Sequence, residues 1–283
     1  SSAMLSEGIH SLVDTTNQVL LLYGQHRAAR PPDREHPLGH GRELYFWSFI
    51  VAVLIFALGA GLALYEGVQH VISPKESTGH LTNYIVLGVA FMLESATWAF
   101  ALRNFKMADG STSFFDSIQR SKDPPAFIVL LEDSAAVLGI IIAAVGIAAS
   151  DYFELPVLDG VASIGIGLLL GATAILLARE SKSLLIGEAA SPRINRSIRQ
   201  IAQSDRAVKE VISLWTVHLA PEQIISVLEL DFADLRTTDI ENAVERIEKR
   251  IRQDMPSVIF ALIKPATENH STLVPEHIPA SQA

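Results

Sequence analysis

Hydrophobic positions run almost unbroken for long stretches of this chain before giving way to shorter, alternating patterns. Segments 3–24, 44–72, 81–102, 126–150 and 157–178 are each long enough to cross ~30 Å of hydrocarbon, which takes about 20 helical residues. The pattern therefore predicts five membrane-spanning helices. Residues 44–65 and 160–178 contain no charged side chain. The first segment is the weakest, because Glu7, His10 and Asp14 interrupt it, and its assignment leans on its neighbours.

Beyond residue 178 the period shortens to that of a small polar-surfaced domain. Ser191 followed by Pro192 reads as a cap and a first-turn proline, opening a helix to about Gln203. Segments 208–219 and 224–232 read as strands; in the second, Ile225, Val227, Glu229 and Asp231 alternate with Leu228, Leu230 and Phe232. Thr238 and Glu241 have capping-box spacing, and Ile240, Val244, Ile247 and Ile251 then trace one helical face. Segment 258–264 reads as a last strand. The expected organisation is an all-α transmembrane bundle at 1–180, a compact α+β domain of order αββαβ at 190–266, and a loose tail at 267–283.

Charge orients this arrangement. The first connection between spans carries Arg27, Arg30, Arg34 and Arg42, and the third carries Arg103, Lys106, Arg120 and Lys122; the alternate connections carry Lys75 alone and nothing. The positive-inside tendency puts the basic loops, and everything after Arg179 and Lys182, in the cytoplasm. Five spans with a cytoplasmic C-terminus set Ser1 on the far side, so at least one earlier helix is expected to precede it. The 283 residues are 49% hydrophobic with a mean hydropathy of +0.31, yet the net charge is −9. That acidic balance argues against nucleic acid as a partner. With no cysteine, disulfides and thiolate metal ligation are excluded, and no signal-peptide pattern opens the chain.

Ionisable groups inside lipid-spanning segments are costly and mark ion or proton pathways. His10 and Asp14 are four residues apart, so a helix brings them to nearly the same face. Asp133 lies in another span, and Asn17 is one further turn along the first. An imidazole with carboxylates suits a borderline divalent ion such as zinc; a side-chain pair between His10 and Asp14 is the simpler alternative. In the first loop, Asp33 and Glu35 with His36 and His40 read either as a metal site at the cytoplasmic mouth or as a solvated turn. Glu94, mid-way along the third span, reads as a proton relay or a buried hydrogen-bond partner. Asp159 reads as a partner of a helix N-terminus, and Gly167 with Gly171 as a close-packing pair.

The run Ser6-Glu7-Gly8-Ile9-His10-Ser11-Leu12-Val13-Asp14, with Asn17 and the later His36-Pro37-Leu38-Gly39-His40-Gly41-Arg42-Glu43, resembles the cation diffusion facilitator family over nearly the whole chain. Tyr45-Phe46-Trp47 and Leu131-Glu132-Asp133-Ser134-Ala135-Ala136 are most similar to its zinc transporter 9-like branch. The resemblance implies spans two to six of a six-span bundle, a ferredoxin-like αββαβ cytoplasmic domain and a homodimer. It implies a transport site at His10, Asp14 and Asp133, and a loop site at Asp33, His36 and His40. Where the family commonly has a histidine, this chain has Val129, which leaves the fourth place to water, Asn17 or Glu132. His218 is the only histidine between Arg179 and Ala266, so the C-terminal domain is expected to dimerise more than to sense metal.

The function expected is exchange of a divalent cation, zinc first, for protons across a membrane, with no cofactor beyond the transported ion. Iron, cobalt and manganese accept overlapping ligands. A membrane metalloenzyme lacks its expected HExxH or nucleophile pattern, and a scaffold has no use for ionisable groups at membrane depth.

Overall fold

The structure, a computed structural model, describes residues 2–74, 80–109, 122–234 and 236–267; side chains are described for 13–74, 84–105, 122–234 and 236–267. Its order is α1 (Ser2–Ala28), α2 (Glu43–Ile72), α3 (His80–Asp109), α4 (Pro124–Phe153), α5 (Val157–Ile186), α6 (Pro192–Gln203), β1 (Val208–Ala220), β2 (Gln223–Phe232), α7 (Thr237–Asp254) and β3 (Val258–Pro265). Two compact units divide the chain, 1–185 and 186–283. All but Thr267 of the expected tail lies outside the described residues.

Among the described residues, four helices are long and apolar enough to cross a membrane: Glu43–Ile72, Tyr84–Phe105 within α3, Pro124–Phe153 and Val157–Ile186. Five were expected. The fifth, the 27-residue α1, has the length, and its side chains before Val13 lie outside the described residues. The π-helical turn Ile55–Ala60 inside α2 was not foreseen.

In the first unit, Leu21, Tyr45, Val51, Ile55, Phe105, Phe127, Leu131 and Leu177 form a packed apolar core. Helices α2 and α5 meet along glycines. A Cβ on Gly67 would stand 2.7 Å from the Ile164 nitrogen and 3.0 Å from the Gly160 oxygen, and one on Gly167 would stand 2.7 Å from Leu64 Cγ. Small residues let membrane helices approach this closely, so the packing reading of Gly167 holds and extends to Gly67 and Gly160. Asp159 does occupy the first turn of α5, and it also faces His70 Nε2 at 3.7 Å.

The second unit is αββαβ, with β1 antiparallel to β2 and β2 parallel to β3. Helices α6 and α7 cover one sheet face through Ile198, Ile201, Ile247 and Ile251, packed on Val211, Ile224, Leu228, Leu230 and Ile263. Ser191 caps α6 by accepting from the Ile194 N–H. The Thr238 capping box does not form: α7 begins at Thr237, after Arg236, with no side-chain cap. Arg236 Nε instead donates to Asp239 Oδ2 at 3.2 Å, holding an acid in the first turn where the helix dipole favours it.

Candidate metal sites

Among the described residues of the first unit, two groups of ligand-type side chains come together. The first lines a cavity of about 520 Å³ between α1, α3 and α4, bordered by Asp14, Gln18, Glu94, Thr97, Val129, Glu132 and Asp133. Asn17 is wholly buried, and its Nδ2 donates to Glu132 Oε1 at 2.8 Å. Glu132 also contacts Asp14. Adjacent residues on a helix diverge by about 100°, yet both Glu132 and Asp133 reach this cavity, Glu132 by turning onto α1 and Asp133 toward Thr97 on α3. The remaining lone pairs are notable: Asn17 Oδ1 and Asp133 Oδ2 are buried without a hydrogen-bond partner among the described residues.

Buried oxygens without donors are suited to accept a cation or an ordered water. Of the expected ligands, Asp14 and Asp133 thus share one cavity with Glu132, and Asn17 reaches Glu132 from α1. His10 lies on α1 four residues before Asp14, and its side chain is outside the described residues. Val129 lines the wall as an apolar patch. Thr97 and Gln18 were not anticipated; the i, i+3 step from Glu94 and the i, i+4 step from Asp14 are the signals that point to them.

The second group is in the loop joining α1 to α2. Asp33 Oδ1 accepts from the backbone N–H of Glu35 at 2.9 Å and of His36 at 2.7 Å, while Oδ2 lies 3.0 Å from His40 Nε2. His36 Nδ1 stands 3.3 Å from Asp33 Oδ1. Ligand atoms of a tetrahedral zinc site with ~2.0–2.1 Å bonds stand ~3.3 Å apart, and here all three residues offer an atom within 4.8 Å of the others. Gly39 makes the bend at a φ of 82°, a region L side chains rarely adopt. The His36 backbone N–H and the His40 ring hold the Asp33 carboxyl down to about 2, so it is an anion throughout the neutral range. Glu35 contributes its backbone N–H, not its carboxylate, to this arrangement.

A clasp fixes the ends of that loop. Arg27 donates through Nη2 and Nε to Glu43 Oε1 at 2.6 and 3.0 Å, Trp47 Nε1 donates to Glu43 Oε2 at 3.0 Å, and the Glu43 N–H reaches the His40 carbonyl at 2.9 Å. Loop site and α1 are therefore mechanically joined.

In the second unit His218 is buried and its Nδ1 faces the Ala220 carbonyl at 3.2 Å. It has a backbone partner, as expected of a structural histidine.

The family model for the cation efflux transmembrane domain matches residues 1–186. Among curated relatives, the chain is 33% identical over 234 residues to the proton-coupled zinc antiporter SLC30A9, mitochondrial, of Xenopus laevis, which covers 82% of this chain and 42% of that protein. The Homo sapiens protein of the same name is 34% identical over 235 residues, 82% and 41% of the two chains. Metal tolerance protein C4 of Arabidopsis thaliana is 32% identical over 234 residues, 82% and 51%. The chain thus spans roughly two fifths to one half the length of these relatives.

Proposed function

Because this multi-pass membrane chain belongs to the cation efflux family, we propose that it moves a divalent cation, zinc first, across a membrane in exchange for protons. The observation that carries this reading is the cavity lined by Asp14, Glu132 and Asp133 on two helices at membrane depth. His10, Asp14 and Asp133 are the principal ligands, with Asn17 and Glu132 as additional oxygen donors. Zinc is supported by the imidazole in this set and by the printed names of the SLC30A9 relatives.

The coupling follows from competition for lone pairs. A metal binds only deprotonated ligands, so loading the site releases protons, and protonation on the other side releases the ion. Exchange then needs only that the site open to one side at a time. Leu21 on α1, Phe105 on α3 and Phe127 on α4 are core residues on the basic-loop side of the cavity. Leu21 is seven residues, about 10 Å of helix, beyond Asp14. An apolar plug of that depth is a barrier to a hydrated ion, and parting it while the opposite side closes is the alternation this reading requires.

Asp33, His36 and His40 bind a second ion in the loop. The C-terminal unit is cytoplasmic, following the basic loops, and serves homodimerisation through the uncovered face of its sheet, where Trp215, Phe260 and Leu262 are exposed. In proteoliposomes with an imposed pH gradient, Asp14→Asn and Asp133→Asn should each abolish zinc uptake, and dissipating the gradient should stop it in the parent protein. Undiminished uptake in both variants would overturn the reading.

A further inference from the structure

The cavity contains an acid that the proposed ligand set leaves unused. Glu94 of α3 borders the same space as Asp14, Glu132 and Asp133, and lies within electrostatic reach of Asp133. The register of α3 on α4 is fixed nearby: Trp98 Nε1 donates to Ser134 Oγ at 2.9 Å, and Ser134 Oγ donates to the Leu130 carbonyl at 2.6 Å. Trp98 is one turn beyond Glu94 and Ser134 adjoins Asp133, so this bond holds the two acidic turns against each other. Val129 presents only carbon to the cavity. On the α1 side Oδ1 of the wholly buried Asn17 has no hydrogen-bond partner among the described residues, and neither has the buried Oδ2 of Asp133. Four carboxyl groups around one space in a low-dielectric surrounding repel one another, and a cation is the species that relieves them.

We infer that Glu94 is a direct cation-binding residue, supplying from α3 the donor that Val129 does not supply from α4. The inference rests on the transport reading above. A carboxylate oxygen is an ordinary zinc donor at ~2.0–2.2 Å, and a third helix in the ligand set ties α3 to the ion along with α1 and α4. Loss of the ion then frees α3 as well as the α1–α4 pair.

The test uses the full chain, purified and reconstituted, with Zn²⁺ as the probe and His40→Ala in every variant, so that the loop site is silent and only the cavity reports. Glu94→Gln should raise both the Zn²⁺ dissociation constant, measured by calorimetry, and the uptake KM by about tenfold or more, as loss of one metal ligand does. Glu94→Asp, which keeps the charge but withdraws the oxygens by one methylene, should fall between. Adding Val129→His to Glu94→Gln should restore affinity to within about threefold, because an imidazole on the facing wall replaces the lost donor. Unchanged Zn²⁺ affinity in Glu94→Gln overturns the inference, and so does a loss that Val129→His fails to restore. If Glu94→Gln does not elute as a monodisperse protein, unchanged affinity in Glu94→Asp is the overturning result. Asp14→Asn and Asp133→Asn run beside these variants. If they keep full binding and uptake, the transport reading itself has failed; if they lose both while Glu94→Gln does not, only the inference about Glu94 has.

Discussion

Asn17 and Glu132 are 115 positions apart in sequence, and Asn17 Nδ2 donates to Glu132 Oε1 at 2.8 Å. The bond joins α1 to α4 at the wall of the cavity. Removing the donor leaves a carboxylate in a poorly solvated position, and an unmet buried acceptor costs about 1–3 kcal/mol. Asn17→Ala should therefore lower the unfolding temperature in detergent. Adding Glu132→Gln should recover part of that loss, because a neutral amide carries less of the penalty. Additive destabilisation of the two variants would mean that the bond is not an energetic link between the helices.

The Asp33 carboxyl is lowered from 3.8 to about 2, chiefly by the His36 backbone N–H and then by the His40 ring. A depressed carboxylate contributes stability that is present above its unfolded value and lost as pH falls through its folded value. Asp33→Asn should destabilise the protein at neutral pH, and the difference from the parent should vanish as pH falls from about 4 toward 2. Across pH 5 to 7 Asp33 stays charged and offers a metal an anionic ligand. His40→Ala should remove zinc binding by the loop, read by calorimetry in an Asp14→Asn background so that only the loop site reports.

The long spans were legible because hydropathy over 20 residues leaves little ambiguity, and α4 and α5 contain the expected 126–150 and 157–178 with added polar turns at their ends. The loop cluster was legible for a different reason: a carboxylate and two imidazoles within eight residues, bent by Pro37 and Gly39, can hardly avoid each other. Glu132 was harder to read. Helical geometry alone turns it about 100° from Asp133, and only the position of Asn17 on a distant segment draws it to the cavity. The Thr238 capping box failed because the helix begins earlier than the spacing implies: Arg236 is the extended residue at its start, so both threonines already lie in the first turn, where Arg236 pairs with Asp239. The π turn in α2 left no periodic trace, since Ile55–Ala60 is apolar on every side.

Helices α2 and α5 approach where Gly67 faces Gly160 and Ile164. Alanine favours a helix interior over glycine by about 1 kcal/mol, but a Cβ at Gly67 would lie 2.7 Å from a backbone nitrogen that cannot move independently of its helix. Steric separation should win, and Gly67→Ala should destabilise the bundle by about 1–3 kcal/mol. At Gly88 nothing lies within 4 Å of the added methyl, so Gly88→Ala is the control and should be neutral or slightly stabilising. Equal effects of the two changes on thermal unfolding would refute the packing argument.

The uncovered face of the sheet in the second unit has two apolar cross-strand rows, Trp215–Val227–Leu262 and Val217–Ile225–Phe260, beside a polar row of Ser213, Glu229 and Lys264. Glu229 is fully buried and held by Ser213 Oγ at 3.0 Å and Lys264 Nζ at 2.9 Å, while Trp215, Phe260 and Leu262 are each 44–48% exposed. Large apolar side chains clustered in the open mark an association surface, and charge placed among them is disfavoured once a partner covers them. On the homodimer proposed above, Leu262→Glu should shift this chain in detergent from dimer to monomer, read by light scattering. Lys264→Ala should act differently: it strands the buried Glu229 carboxylate and destabilises the unit itself, an effect that Glu229→Gln in the same chain should relieve. If Leu262→Glu leaves the mass unchanged while the unit stays folded, the sheet face does not carry the proposed dimer.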